Sequence, residues 1–446
     1  MGYIPHTEAD TREMLTSLGL KALEDLFAHI PKELRAKPLT LDPGLPEMPL
    51  LQHLNAVGRS NRRLTIFAGA GAYDHFVPPA VGDIVSHGRF FSAYTPYQPE
   101  ASQGLLQCIY EYQTMIASLT GLAAANASMY DGATALYEAC VLAARHTGHG
   151  RFLVARTVNP VYRETMRSLG HNLDFQFVEF DPTQPIEATA KLLTEPTAAL
   201  IAQTPDVFGQ VHDFTDLFAA AHKAGALAVA SAHPISLALF KDPGAMGADL
   251  AAGEAQPLGV PVQFGGPFVG YLAAAHGLVK KLPGRLVGAT VDKEGQRAFT
   301  LTLQAREQHI RRERATSNIC TNQGLCALMA WAYLTLVGRS GLKRAAELSI
   351  ARTLELRGAL GAVAGVQVNA APVFNEFTYS TPRPAPEVLA GLVRHGILGG
   401  VAVKERFGRQ LAGVDDALIL TAATEKRTPE EIAAYTAALK SVLAGK

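Results

Sequence analysis

Three things are scarce in this sequence: cysteine, an excess of charge of one sign, and long hydrophobic runs. Its 446 residues include four cysteines with no CxxC pair, which argues against a disulfide scaffold. Forty basic residues balance forty acidic ones, so no net field attracts nucleic acid or an anionic membrane. No run approaches the roughly 18 apolar residues of a membrane span, and no secretory signal is visible at the N-terminus. We therefore expect a cytoplasmic protein with reduced thiols that binds neither nucleic acid nor membrane.

Apolar residues are plentiful, at 48% of the chain, and this length suggests two or three folding units. Residues 1–60 are predicted to form a helical N-terminal segment, in which Asp10 caps a first helix and Lys21–His29 forms a second. The proline-rich stretch Pro38–Pro49 predicts an extended arm. Such an arm wraps either a neighbouring surface or its own domain, and the sequence leaves both alternatives open.

Residues 61–330 show the alternation typical of an α/β domain. Short apolar runs are separated by helical stretches, and this pattern predicts a mostly parallel sheet with helices on both faces. Binding sites in such sheets lie beyond the carboxyl ends of the strands. The predicted strands are Phe152–Ala155, Phe175–Phe180, Ala198–Ala202, Ala226–Ala230 and Phe268–Ala274.

The pattern changes again near residue 330. A long helical stretch, Leu325–Leu360, precedes three short strand-like runs and a last helix. Thr428 is the predicted cap of that helix, with Glu431 three residues further on. Residues 331–446 are therefore predicted to form a small α+β domain.

The segment Gly132-Ala133-Thr134 opens a predicted helix with small residues. Backbone N–H groups at such a helix start can approach an anion, and a threonine hydroxyl adds a donor, so this is a candidate phosphate site. The alternative is an ordinary helix cap formed by Asp131 or Thr134.

Two other motifs resemble known cofactor and metal sites but lack residues that those sites need. Gly69-Ala70-Gly71 begins like a dinucleotide fingerprint, yet Asp74 stands where a third glycine is needed, which argues against a nicotinamide enzyme. His146 and His149 flank a turn without a nearby carboxylate, so we predict no metal site.

Two loops are rich in polar side chains. The first places hydroxyls, amides and a carboxylate around two prolines, which suits the wall of a pocket for a small polar molecule, although Ser102 or Glu100 could serve only as a helix cap. The second follows Arg311 and precedes an apolar helix, where an anion is expected. The candidate residues are Tyr94, Thr95, Tyr97, Gln98, Glu100 and Ser102 in the first loop, and Thr316, Ser317 and Asn318 in the second.

Several long segments together resemble one family. TPYQPEASQG (95–104), GEAQPLGVPVQFGGP (253–267) and AREQHIRRERATSNICTNQ (305–323) are similar to the P-protein of the glycine cleavage system, and the similarity runs from Tyr3 to about Thr424. The likeness is greater to the N-terminal (alpha) subunit found where P-protein is split into two chains. It implies the aspartate-aminotransferase-like fold of pyridoxal-phosphate enzymes (fold type I). It also implies decarboxylation of glycine, with the aminomethyl group passed to the lipoyl group of H-protein, and functional links to T-protein and L-protein.

The same resemblance identifies what this chain lacks. Family members that hold the cofactor attach it through a Schiff-base lysine ahead of a glycine-rich run ending in proline, and that position falls on Gln256 or Pro257. The acid expected beside the pyridine nitrogen falls at Ala230, at the end of its predicted strand. Asp206 is the candidate for the place where related folds use an asparagine near the phenolic oxygen. With Gly132–Thr134, these residues form the expected relic of a cofactor site.

The family arrangement implies that a partner, the C-terminal (beta) P-protein subunit, holds pyridoxal 5′-phosphate covalently. The two chains would form a heterodimer or a dimer of heterodimers (a heterotetramer). Enzymes of this fold build each site at a subunit interface, so Thr316, Ser317 and Asn318 are expected to reach the partner's cofactor phosphate. The Tyr94–Ser102 loop is expected beside the substrate pocket.

Two alternatives stay open at this point. An autonomous pyridoxal-phosphate enzyme would need another lysine, and the nearest ones, Lys241 and Lys280, lie far along the chain from the expected position. A purely structural or regulatory subunit would place no residue in any active site.

Overall fold

A computed structural model describes residues 5–36, 40–90, 93–263, 265–411 and 413–445. Its contacts divide the chain into two compact units, Met1–Arg63 and Leu64–Lys446. Tyr3, where the family resemblance begins, and Pro38, where the predicted arm begins, lie outside the described residues. The three predicted domains stay a prediction.

The first unit contains two α-helices, α1 (Glu8–Ser17) and α2 (Glu47–Arg59). The N-cap of α1 is Thr7 rather than the predicted Asp10. The Thr7 hydroxyl accepts from Asp10 N and the Asp10 carboxylate accepts from Thr7 N, so Asp10 is the third residue of a capping box. The predicted arm is also shorter than expected, because α2 already begins at Glu47.

This unit has almost no core of its own. Among its described residues only Leu15 is buried, although large apolar side chains are frequent. The exposed ones are Met14, Leu18, Leu23, Leu26, Phe27, Leu34, Leu41, Leu45, Met48, Leu50, Leu51, Leu54 and Val57.

The second unit carries the remaining elements. Its helices are α3 (Pro79–Val85), α4 (Gln103–Thr120), α5 (Gly132–Thr147), α6 (Pro160–Gly170), α7 (Ile186–Leu192), α8 (Thr215–Lys223), α9 (Gln308–Arg311), α10 (Gly324–Gly361), α11 (Ala385–Arg394), α12 (Val403–Phe407) and α13 (Pro429–Leu443). Its strands are β1 (Thr65–Ile66), β2 (Ala124–Ala125), β3 (Arg151–Ala155), β4 (Gln176–Phe180), β5 (Ala199–Thr204), β6 (Leu227–Ala232), β7 (Leu250–Glu254), β8 (Gly270–Ala274), β9 (Val287–Val291), β10 (Arg297–Leu301), β11 (Gln367–Val368), β12 (Glu376–Ser380), β13 (Ile397–Leu398), β14 (Val401–Ala402) and β15 (Leu418–Ala422).

Seven strands form one large sheet in the order β2-β8-β7-β6-β5-β3-β4. The pairs from β4 through β7 are parallel, whereas β8 runs antiparallel to β7 and β2. All five residues of β3 are buried, Arg151 and the four apolar residues that follow it, and α5 packs beside β7 and β8. The predicted α/β class with a mostly parallel sheet is confirmed. Two strands were predicted to end too early: β5 continues to Thr204 and β6 to Ala232, so Ala230 lies inside its strand.

A smaller antiparallel sheet has the order β11-β12-β15-β14. Apolar residues of α11 and α13 pack on it in a separate core. The predicted start of the last helix is confirmed, because Thr428 and Glu431 exchange both bonds of a capping box. Strand β1 pairs with β13 and so ties the beginning of this unit to its C-terminal part.

Helix α10 is interrupted at Gly338, whose φ of 60° and ψ of −177° are not helical. By length and composition alone α10 could cross a membrane. It carries buried residues on both sides of the interruption, Tyr333 before it and Leu356 after it, and it packs against α3 and α4. That is how a core helix of a globular protein packs.

Candidate functional site

The carboxyl ends of β5, β6 and β7 surround a cavity of about 40 Å³, at the edge of the sheet where the relic of a cofactor site was expected. Small-molecule pockets usually hold about 300 Å³ or more, and a water needs roughly 10–15 Å³. This small cavity therefore has room for two or three waters. Strands β5, β6 and β7, the start of α6 and the loops after these strands contribute Asn159, Tyr162, Gln203, Pro205, Asp206, Val207, Gly209, Ser231, Ala232, His233, Glu254 and Pro257, and the other segments contribute Ala70, Gly71, Tyr73, Asn375 and Glu376.

Gln256 is one of the two residues predicted at the lysine position, and its amide is fully engaged. Its Oε1 accepts from Tyr73 N at 3.0 Å, while its Nε2 donates to Tyr73 O at 3.1 Å and to Val260 O at 2.7 Å. The side chain is 1% exposed. Gln256 thus fixes the backbone of Tyr73 beside the cavity, and Pro257 forms part of the cavity wall.

Glu254, the last residue of β7, brings a carboxyl group to the start of α5. Its Oε2 accepts from Gly132 N at 3.0 Å, and its Oε1 accepts from Gln256 N at 2.9 Å and from Val269 N at 3.1 Å. Burial raises the pKa of Glu254 to about 8, although the three backbone N–H donors lower it.

The helix start predicted as a phosphate site is an internally satisfied cap. Asp131 is the N-cap, and its carboxylate accepts from Thr134 N at 2.8 Å and from the Thr134 hydroxyl at 2.9 Å. Gly132 N is taken by Glu254, and Ala133 is buried. The ordinary-cap alternative is what the structure contains.

Asp206 and Ala230 face different surroundings. The Asp206 carboxylate lines the cavity but is bound within its own loop, where it accepts from Phe208 N at 2.9 Å and Gln210 N at 3.0 Å and meets His212 Nε2 at 2.9 Å. Ala230 pairs with its neighbours in the middle of the sheet and belongs to the hydrophobic core. No charge stands at that position.

The small sheet supplies a second buried carboxyl group. Glu376 Oε1 accepts from Ala70 N at 2.6 Å, and its Oε2 accepts from the Tyr73 hydroxyl at 2.8 Å. Burial raises the pKa of Glu376 to about 8 and raises the pKa of Tyr73 as well. Together with Gln256, these contacts link β7 of the large sheet to β12 of the small one.

These residues do not fit pyridoxal phosphate. The cavity is far smaller than the cofactor would need, and neither Gln256 nor Pro257 can form a Schiff base. At the start of α5 the Glu254 carboxyl already accepts from Gly132 N, so this donor is not free for a phosphate.

Both polar loops predicted from the sequence meet elsewhere on the molecule. Thr95 Oγ1 and Thr321 Oγ1 are 2.7 Å apart, and the Tyr97 hydroxyl is 3.9 Å from Cys320 Sγ. We call residues 94–102 together with residues 316–321 the loop pair.

Arg285 holds the loop pair together and was not identified from the sequence. It donates to the Tyr97 hydroxyl and, at 3.2 Å, to Cys320 Sγ. Its guanidinium also lies 4.9 Å from the centre of the Tyr97 ring and forms a buried ion pair with Glu307. Nothing in the local sequence marks Arg285, because its contacts come from segments far along the chain.

Other members of the first loop point outwards. Tyr94 is 88% exposed, and Gln98 and Glu100 are exposed as well. Ser102 is at the N-cap position of α4, but its side chain makes no capping hydrogen bond. Tyr94 and Thr95 line a cavity of about 420 Å³ that also contacts Arg285.

In the second loop, the side chains of two candidate residues form hydrogen bonds within the chain, and the third candidate forms none to the described residues. Thr316 Oγ1 accepts from Arg145 Nη1 at 2.9 Å, and Ser317 donates to Glu138 Oε1 at 2.9 Å. Burial raises the pKa of Glu138 to about 7. Asn318 is exposed, and its side chain makes no hydrogen bond to the described residues.

A basic pocket of about 300 Å³ adjoins this loop. Glu307, the carboxylate on its described lining, is paired with Arg285, so the remaining charge is positive. Arg306 Nε and Nη2 are buried without a hydrogen-bond partner among the described residues. Besides Thr316 and Ser317, the polar lining consists of Arg145, Lys280, Lys281, Arg306, Arg311 and Arg314.

The two alternative lysines lie outside the small cavity. Lys241 is bound at the surface to Asp213 and Thr215, and Lys280 faces the basic pocket. Among the residues that the structure describes, no group of histidine, cysteine, aspartate or glutamate has the arrangement of a metal site.

Comparisons with known proteins agree with this architecture. The family model of glycine cleavage system P-protein matches residues 1–439. Glycine dehydrogenase (decarboxylating) subunit 1 of Geotalea uraniireducens is 46% identical over 99% of this chain and 100% of its own length. Its counterpart in Maridesulfovibrio salexigens is 44% identical over the same shares.

Solved structures give the same result. A crystal structure of glycine decarboxylase (P-protein) in inhibitor-bound form is 43% identical, with a TM-score of 0.89 over 99% of this chain and 100% of that one. A sphingosine-1-phosphate lyase from Burkholderia pseudomallei, 14% identical with a TM-score of 0.63 over 92% and 93% of the two chains, shares the fold alone. The fold is that of fold type I pyridoxal-phosphate enzymes. The chain belongs to the glycine cleavage system P-protein family and is a subunit of its decarboxylating glycine dehydrogenase.

Proposed function

We propose that this chain is a non-autonomous half of the enzyme, and that a lysine-bearing C-terminal (beta) subunit holds pyridoxal 5′-phosphate covalently. The observation that carries the proposal is the small size of the cavity: at about 40 Å³ it has no room for the cofactor, so a chain of this fold needs a second polypeptide for the chemistry. The subunit-1 designation of the relatives supports a partner subunit. We expect a heterodimer or a heterotetramer in the cytoplasm, which acts with the T- and L-proteins.

The proposed substrates are glycine and the lipoyl group of H-protein. In the proposed reaction the bond between the glycine α-carbon and its carboxylate breaks and CO2 is released, and pyridoxal phosphate on the partner subunit would supply the electron sink for this step. The aminomethyl carbon then bonds to one lipoyl sulfur. The S–S bond breaks, and the second sulfur takes the proton, so the lipoyl disulfide is the electron acceptor of the step.

The contribution of this chain is assigned to the loop pair and the basic pocket. Asn318 is exposed and unengaged, which leaves its amide free to bind an oxygen of the partner's cofactor phosphate. Thr316 and Ser317 shape the loop through their own bonds to Arg145 and Glu138. The excess positive charge of the neighbouring pocket favours an anionic group at this place.

The first loop is proposed to form the wall of the active site next to the substrate. Thr95 and Tyr97 are fixed by Thr321 and Arg285, so their positions depend on the second loop. Tyr94, Gln98 and Glu100 present exposed polar groups that another chain can contact. An autonomous enzyme is disfavoured, since neither Lys241 nor Lys280 lines the small cavity.

Reconstitution tests the proposal. The purified chain, a lysine-bearing partner and lipoylated H-protein are assayed for glycine–bicarbonate exchange, each chain alone and both together. We expect exchange from the mixture and none from this chain by itself. Exchange by this chain alone would overturn the proposal.

Variants of the second loop separate an active-site role from a structural one. Asn318→Ala is expected to weaken cofactor retention in the reconstituted pair by roughly tenfold, the equivalent of about 1.4 kcal/mol for a lost charge-assisted hydrogen bond. Thr316→Ala is expected to act in the same direction. The matched control is Asn172→Ala, at an exposed position outside both loops. Unchanged retention in Asn318→Ala would favour a purely structural or regulatory subunit.

A further inference from the structure

The start of α5 is occupied by a ligand that the chain itself provides. Three of the four N–H groups that a helix start leaves without intrahelical partners have acceptors in this chain: Asp131 N binds the Thr134 hydroxyl, Gly132 N binds Glu254, and Thr134 N binds the Asp131 carboxylate. Most of the donors that the start of α5 could offer to an anion are therefore already used.

The Glu254 carboxyl group is buried and held on both oxygens. Besides Gly132 N, it accepts from Gln256 N and Val269 N, so the group bridges α5, the turn after β7 and the beginning of β8. A carboxyl with three fixed backbone donors cannot turn aside to admit another anion without leaving those donors unpaired.

The backbone around Glu254 leaves no spare room. A Cβ placed on Gly132 would lie 2.5 Å from the Tyr162 hydroxyl and 2.8 Å from Glu254 N. Tyr73 closes the cavity from the other side, fixed by Gln256 at its backbone and by Glu376 at its hydroxyl. The side chains that surround the cavity thus come from, or are hydrogen-bonded to, both the large and the small sheet.

We propose that Glu254 is a built-in replacement for the cofactor phosphate, which closes the cavity to phosphate-bearing ligands and turns it into a polar joint between the two sheets. This goes beyond the assignment of the cofactor to a partner, because it concerns the chain's own cavity. Because Glu254 itself excludes the phosphate, a lysine introduced at position 256 is not sufficient for this chain to bind the cofactor.

Binding to the purified full-length chain tests this. The probes are inorganic phosphate and pyridoxamine 5′-phosphate, which has no aldehyde to react with surface lysines. Wild-type chain is expected to show no saturable binding in equilibrium dialysis, and no rise in melting temperature with phosphate over chloride at equal ionic strength. Glu254→Ser frees three N–H donors and is expected to bind phosphate at least about tenfold more tightly than wild type. Pyridoxamine 5′-phosphate stays excluded, since Tyr73, held by Gln256 and Glu376, still lines the small cavity.

Two further variants make the outcome unambiguous. Glu254→Gln keeps the bulk of the side chain and is expected to bind no phosphate, whereas Glu294→Ser makes the same substitution at an exposed position and should gain no phosphate binding. A folded Glu254→Ser chain without phosphate affinity would overturn the proposal. Should that variant not fold, saturable binding of either probe by wild type would overturn it, and its absence in wild type and Glu254→Gln would uphold it. The chain is tested without its partner, so the result is independent of the exchange assay.

Discussion

At the scale of single residues, the buried carboxyl of Glu376 is the clearest source of pH dependence. Burial raises its pKa to about 8 from an ordinary 4.5. As pH rises between these values, the unfolded chain releases this proton while the folded chain still holds it. The native state is therefore most favoured by this group at low pH, and that contribution is lost progressively up to about pH 8.

Glu376→Gln should remove this titration while keeping acceptors and donors for Ala70 N and the Tyr73 hydroxyl. We expect the unfolding free energy of the variant, relative to wild type, to increase with pH between 5 and 8 by as much as about 4 kcal/mol. Urea unfolding at several pH values measures the difference, with the exposed Glu294→Gln as control. A difference that does not change with pH would contradict the assignment.

At the scale of elements, the break in α10 should depend on glycine. The conformation of Gly338 lies in a region of positive φ that side chains rarely adopt, and beyond the neighbouring backbone of the helix no atom lies within 4 Å of a Cβ placed there. Gly338→Ala is therefore expected to lower the unfolding free energy by about 1–3 kcal/mol through backbone strain alone.

The same helix provides a matched control. Gly358 is helical and exposed, with open space around it, so Gly358→Ala should raise stability by up to about 1 kcal/mol. Thermal and urea unfolding of both variants measure the contrast. Equal effects at the two positions would mean that α10 is not strained at its break.

Arg285 holds the two loops of the loop pair together through its bonds to Tyr97 and Cys320. Lysine keeps the charge but not the forked donors, so Arg285→Lys should release Tyr97 and Cys320. We expect the Cys320 thiol to react with a thiol reagent on the order of tenfold faster in the free chain, a change of about 1.4 kcal/mol in local opening.

The other cysteines serve as internal controls. Cys108, Cys140 and Cys326 are buried and should stay protected in the folded variant. Labelling followed by mass spectrometry identifies the site. Faster labelling at all four thiols would indicate general unfolding, and unchanged labelling of Cys320 would show that Arg285 does not hold the loops.

At the scale of the whole molecule, exposed apolar residues are concentrated in the first unit. Among the described residues, 13 of the 27 large hydrophobic side chains that are exposed fall in Met1–Arg63. At about half exposure they offer on the order of 600 Å² of apolar surface, as much as one side of a stable protein interface buries. We predict that the partner subunit covers them.

Substitutions in α2 test this prediction. Leu51→Ser with Leu54→Ser should leave the stability of the free chain nearly unchanged, because both side chains are exposed, but should weaken assembly with the partner by roughly tenfold or more. The control pair is Leu169→Ser with Leu173→Ser, at similarly exposed positions in the second unit. Sedimentation of the mixed subunits gives the affinities, and an equal effect of both pairs would contradict the prediction.

Sequence patterns predicted the elements whose signals are local. The long apolar runs of β3 and β5 and the capping box at Thr428 were recognisable because neighbouring residues create them. Strand β7 was missed, since Leu-Ala-Ala-Gly-Glu has little strand character of its own and is held by its neighbours in the sheet.

The candidate site shows the same limit. The missing lysine was visible in the sequence, but what fills its place was not. Glu254 acts on a helix 122 residues earlier in the chain and Glu376 on a loop 306 residues earlier, and no spacing rule joins such positions. The two polar loops were each identified as candidates, whereas their junction through Arg285 became visible only in the fold.

The filled cavity predicts the ratio of cofactor to polypeptide in an active assembly. If one chain of every pair has given up its own place for the cofactor, a complete particle carries half as many vitamin B6 groups as polypeptides, whether it contains two chains or four. Added cofactor then saturates at one equivalent per pair, and the spectrum of the loaded particle reports a single kind of environment.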